Sequence, residues 1–139
     1  MNYSRLGLAT LGATAVYFVL GGLVFGLGPL RNEFQKYPAV YRTANDMKTV
    51  MPYGIFAMLL SMLVLAVLYA MIYRGGSGAT EGARFGALIG LFAVGSFVLH
   101  NYVNLNIGLK LTLEQALAYF IQWTLVGLVI GLIYRPLLP

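Results

Sequence analysis

Tyr53-Gly-Ile-Phe-Ala-Met-Leu-Leu-Ser-Met-Leu-Val-Leu-Ala-Val-Leu-Tyr-Ala-Met-Ile-Tyr73 contains no charged residue. A helix needs about 20 mostly apolar residues, at 1.5 Å each, to cross the hydrocarbon of a bilayer. This stretch meets that length, and three others resemble it: Leu6–Leu27, Arg84–Val103 and Leu113–Tyr134. Asp, Glu, Lys and Arg are missing from the central part of all four. The expected fold is therefore an all-α, single-domain integral membrane bundle of four transmembrane helices over residues 1–139.

Composition agrees. Of 139 residues, 60% are hydrophobic and 9% charged, against roughly 25% charged in an ordinary soluble domain. The net charge of +5 comes from nine basic and four acidic residues. They are too few and too dispersed for a phosphate-binding face, which argues against a nucleic-acid partner. With no cysteine there are no disulfides, thiolate metal sites or thiol nucleophiles. A single histidine, His100, cannot by itself build a bis-His haem or a three-ligand zinc site. No cofactor and no metal site are expected.

The first apolar run is longer than a signal-peptide core and ends in bulky residues (Phe25, Leu27, Leu30), so it reads as a retained helix. The first loop, Gly28 to Pro52, sets Leu30, Phe34, Tyr37 and Tyr41 on one helical face, with Arg31, Glu33, Gln35 and Lys36 largely elsewhere. This predicts an interfacial helix, its aromatics at headgroup depth; a lid over the bundle is the alternative. The second loop, Arg74 to Arg84, is a Gly-rich hairpin turn. In the third, Thr112-Leu-Glu-Gln115 reads as a capping box opening the fourth helix. Glu114 in that turn suits the helix dipole.

Three spans share Gly-x-x-x-Gly-Leu: Gly22 with Gly26, Gly86 with Gly90, and Gly127 with Gly131. Glycines four apart make a flat strip on which a second backbone can settle. Spans three and four run antiparallel, which puts their strips, with Gly82, in one leaflet and predicts a close crossing there. Association with a second copy is the competing use of such a strip.

Away from those strips the last two spans turn polar. His100, Asn101 and Asn104 lie on span three, and Gln115, Tyr119, Gln122 and Trp123 on span four. They form a candidate vestibule for a ligand between the two spans, open toward the first loop. Trp123 is expected to pack on span three. The bland alternative is mutual hydrogen bonding that holds two helices together. No catalytic residue is assigned. A His100–Glu114 acid–base pair is conceivable.

Four spans place both termini on one side, with Arg5, Arg74, Arg84 and Arg135; the opposite side carries Arg31, Lys36, Arg42, Lys48 and Lys110. The crowding of arginines at the ends of short segments favours cytoplasmic termini. The opening of the third span, Glu81-Gly-Ala-Arg-Phe-Gly-Ala-Leu-Ile-Gly90, resembles that of an uncharacterised four-span bacterial inner-membrane family, as do Asn101-Tyr102 and the Gly127–Gly131 exit. The resemblance covers mainly the second half. It implies the fold and a multi-pass location in the inner (plasma) membrane, with no activity attached. The leading functional expectation is a non-enzymatic membrane protein, an accessory subunit or homo-oligomer using glycine-lined faces, with the lipid bilayer and a membrane-protein partner as its contacts. The others are a small-solute or lipid binding or transport protein using the vestibule, and a membrane enzyme acting on a lipid or quinone.

Overall fold

The computed structural model describes residues 2–134; Arg135, counted above on the termini side, lies outside them. The described residues are mostly helical, with no strand among them, and four helices are long and apolar enough to cross a membrane. The chain is a multi-pass helical membrane protein.

The first span is α1 (Tyr3–Gly21), widened to π-helical geometry over Gly22–Leu27. Asn2 caps it by accepting from the Arg5 backbone N–H at 3.1 Å. Buried Thr10 and Thr14 donate to the carbonyls of Leu6 and Thr10, at 2.9 and 2.8 Å. Those bonds keep both hydroxyls satisfied where no water is available. The short α2 (Leu30–Gln35) sits in the first loop.

The second span, α3 (Ala44–Ile72), starts well before the expected Tyr53. Hydropathy marks where a helix enters lipid, whereas the helix itself begins at its cap. Here the cap is Thr43, which accepts from the Asp46 N–H at 3.2 Å. The third span runs through α4 (Gly78–Ala93), a π-helical stretch over Val94–Leu99, and α5 (His100–Asn104). The fourth is α6 (Leu109–Tyr134).

The start of α6 corrects one expectation. Thr112 lies inside the helix and donates its hydroxyl back to the Gly108 carbonyl at 3.2 Å. No capping box forms, because the helix is already under way at Leu109. Gln115 is left free to face elsewhere.

The helices stand in the order α4, α6, α1, α3, with α6 in extensive contact with α4 on one side and α1 on the other. The α4–α6 contact is backbone to backbone. A Cβ on Gly82 would lie 2.5 Å from the Gly127 carbonyl oxygen and 2.9 Å from the Gly131 Cα. One on Gly86 would lie 2.8 Å from the Thr124 carbonyl and 2.9 Å from the Gly127 Cα. Gly90 is slightly looser, with the Phe120 carbonyl at 3.1 Å. Beyond Gly90 the hairpin opens, and α5 hardly touches α6. Gly22 and Gly26 meet nothing within 4 Å.

Toward the termini side, Tyr69 packs against Tyr73, Phe85 and Tyr134 with ring centroids 5.5–6.1 Å apart. The glycine-rich turn beside them is held by Glu81, which accepts from the Gly76 N–H at 3.0 Å, and by the Tyr73 hydroxyl, which donates to the Gly76 carbonyl at 2.7 Å. Gly75 has φ of +87°, a conformation that favours glycine. From this end α3 packs along α1 through Met58, Met62, Ala66 and Tyr69. Its other half, 44–57, is exposed apart from half-buried Val50.

Because a methyl at Gly127 meets backbone that cannot move aside, Gly127→Ala is expected to destabilise the bundle by about 1–3 kcal/mol. Gly7→Ala, where a Cβ meets nothing within 4 Å, should be neutral or stabilise by up to about 1 kcal/mol. Thermal unfolding of both variants in mild detergent checks the contrast.

Candidate functional site

The polar face of α6 turns toward α1 and the first loop. Gln115, Tyr119 and Gln122 share one side of the helix, and each meets a residue from that direction. The Gln115 amide donates to the Tyr41 hydroxyl at a long 3.4 Å. The Tyr119 ring lies 5.2 Å from Phe25. The Gln122 amide donates to the Tyr17 backbone carbonyl at 2.8 Å, while its Oε1 is buried without a hydrogen-bond partner. Gln122 is 3% exposed.

The structure therefore divides the residues grouped on sequence grounds. Gln115, Tyr119, Gln122 and Trp123 line the seam between α6 and its α1 and first-loop neighbours. His100, Asn101 and Asn104 lie exposed on α5, which has splayed from α6. Trp123 departs from expectation as well. Its carbonyl faces Gly86 across the close crossing, but its ring lies 5.3 Å from that of Tyr17 on α1. A crossing close enough for backbone contact leaves no room for an indole on that face. Glu114 has Lys110 as its ionic neighbour, at 3.7 Å.

The first loop folds down over this seam. Leu30 is buried with Ile107 and Leu111, and Phe34, Tyr37 and Tyr41 pack around them. Phe34 stands edge-on to Tyr41 at 4.6 Å and lies 5.9 Å from Phe25. The aromatic stripe read as an interfacial face is thus turned onto the start of α6. The helical part ends at Gln35, ahead of Pro38, which blocks its continuation.

Glu33, grouped in the sequence with the outward charges, is 8% exposed. Its Oε1 accepts from Lys36 and from Lys110, each at 2.7 Å. Lys110 stands in the first turn of α6, which carries no acid. A cation there is opposed by the helix dipole, and Glu33 supplies the missing anion from a different part of the chain. A second tether runs from the Gly108 N–H to the Tyr37 hydroxyl at 2.9 Å. We refer to residues 30–41 as the strap.

Glu33, Tyr17 and Phe25 are contributors to the site that the sequence did not single out, while Tyr37 and Tyr41 were read as part of an interfacial stripe and not as neighbours of the α6 polar face. A signal for Glu33 was present: with Leu30, Phe34 and Tyr37 it follows an i, i+3, i+4, i+7 pattern, which is one helical face. Among the described residues no group of three or more His, Asp or Glu is placed to hold a metal ion. No family model, curated protein or solved structure matches this chain.

The Glu33 carboxyl is held below the usual carboxylate range, first by the hydrogen bond from Lys110 and then by that from Lys36. An acid with a depressed pKa contributes stability above its unfolded value, roughly 4.3, and loses it as pH falls through the lower folded value. Amide-exchange protection across the strap should stay level from about pH 7 to about pH 5 and drop only below roughly pH 4. Glu33→Gln should lower that protection already at neutral pH, and Lys110→Met should do so more than Lys36→Met, because Lys110 is the tether to another helix.

Proposed function

We propose that this protein is a non-enzymatic multi-pass subunit of a bacterial inner membrane, assembling with a membrane-protein partner or with further copies of itself. The observation that carries this reading is the unpartnered half of α3. Residues 44–57 of a 29-residue helix find almost nothing to pack on within the chain. Tyr53 and Phe56, at 77% and 70% exposure, project from it. Lipid can cover the apolar part of this stretch, Val50 to Ala57, but a second protein surface would gain close packing contacts on it that lipid does not.

The glycines support the same reading. The strips on α4 and α6 are consumed by the close crossing within the chain, so they have no capacity left for another molecule. The strip of Gly22 and Gly26, together with Gly54 on α3, is open, with nothing within 4 Å of the Cβ positions. These are the glycine-lined surfaces left for assembly. In this reading the arginine-flanked termini side faces the cytoplasm, and the first loop and the start of α3 face the opposite compartment.

Native mass spectrometry of protein extracted in mild detergent is expected to find a dimer or a stoichiometric membrane partner. Replacing Gly22 and Gly26 by Leu should abolish that species without lowering the thermal midpoint, because no part of the chain packs there. A strictly monomeric, partner-free protein at all detergent concentrations would overturn the proposal.

A further inference from the structure

The second hairpin turn carries two cations and commits its one acid to its own backbone. Glu81 Oε1 accepts from the Gly76 N–H at 3.0 Å, and Oε2 accepts from the Arg74 N–H at a long 3.4 Å. The carboxylate is thereby drawn to the turn, although Arg84 stands one helical turn beyond it on the same face of α4. Among the described residues neither Arg74 nor Arg84 forms an ion pair, and Arg5 on the same side forms none either. The other three acids, Glu33, Asp46 and Glu114, lie toward the first-loop side. Positive charge on the turn is therefore left unanswered by the chain itself.

The position of that charge says what would answer it. Arg74 is held through its backbone to Glu81, and Arg84 is three residues from Glu81, so the two arginines flank one carboxylate. Both side chains are exposed. Arg84 lies about 9 Å along α4 from Gly78 at 1.5 Å per residue. A charge at that depth on a lipid-facing side keeps its head in the headgroup layer by extending its stem. Next on the same face come Leu88 and Leu91, 66% and 60% exposed. This face points away from Gly82, Gly86 and Gly90, which are buried. A carboxylate on another protein could meet the charge alone. A phospholipid meets the charge and the leucines along one line, and a guanidinium can grip two phosphate oxygens at once.

We propose that the Arg74–Arg84 face of the second hairpin, continued by Leu88 and Leu91, is a docking surface for an anionic phospholipid of the surrounding bilayer. The arginines hold the phosphate and the net negative headgroup, and the leucines lie along the acyl chains. The contact requires no protein partner, so it stands or falls separately from the assembly reading.

The test is native mass spectrometry of the full chain in mild detergent, stripped of lipid. It is titrated with phosphatidylglycerol or with phosphatidylcholine of the same acyl chains, and the affinity of the first bound lipid is read per chain. Phosphatidylglycerol is expected to bind at least about fivefold more tightly. The Arg74→Gln, Arg84→Gln double variant should bring the ratio to about one, because the charge that discriminates is gone. Arg84→Gln alone should lower it at least about twofold, which keeps the test open if the double variant does not fold. An Arg31→Gln, Lys48→Gln variant, with two charges removed from the opposite side, should keep the native ratio. Equal affinities in the native protein, as a face awaiting a protein acid would give, overturn the proposal. So does a preference that persists in the Arg74, Arg84 variant, or one that is lost equally in the Arg31, Lys48 variant.

Discussion

The backbone contact between α4 and α6 is the constraint on which the other contacts depend. In lipid, apolar side chains gain nothing from leaving one hydrocarbon environment for another, so helices associate where atoms can approach closely. Gly82, Gly86, Gly127 and Gly131 supply that approach because none carries a Cβ to hold the backbones apart. Fixing these two helices at one end has consequences along their whole length. The Trp123 side chain is excluded from the crossing and leaves toward α1. With Gly90 the last glycine in the strip, the hairpin opens beyond it and α5 diverges.

The divergence of α5 leaves the start of α6 without a helical neighbour on that side, and the strap takes up part of the role. Its attachment is electrostatic as much as apolar. Lys110 in the first turn of α6 opposes the helix dipole, and Glu33 answers both charges at once, with Lys36 sharing the same oxygen. Leu30 and the aromatic residues that follow then close over Ile107 and Leu111. The polar face of α6 is thereby enclosed by α1 below and the strap above.

Gln122 and the open half of α3 represent two different kinds of incompleteness. The first is local and polar: one buried acceptor oxygen of Gln122 without a hydrogen-bond donor. The second is extended: the half of α3 over residues 44–57, polar in its first turns and apolar from Val50 onward, that finds almost no neighbour within the chain. Hydrogen-bond satisfaction governs the first and packing area the second.

Sequence alone determined the elements that depend on local composition. Four apolar stretches of membrane-crossing length, with their charges at the ends, already specify four helices, because a backbone in hydrocarbon must satisfy its own hydrogen bonds. The Gly-x-x-x-Gly spacing marked which faces are flat, and the i, i+4, i+7 spacing set Gln115, Tyr119 and Gln122 on one face. Rotation of each helix about its axis was not determined, since an all-round apolar span offers no hydrophobic stripe to orient it. That rotation sends the α6 glutamines to α1 and the strap and leaves His100, Asn101 and Asn104 outside. Glu33 was misplaced for a related reason: its residue type suggests an outward charge, but its burial depends on Lys110, which is distant in sequence. Helix identity is thus written in short-range composition, whereas the site arises from which faces meet, and only tertiary packing decides that.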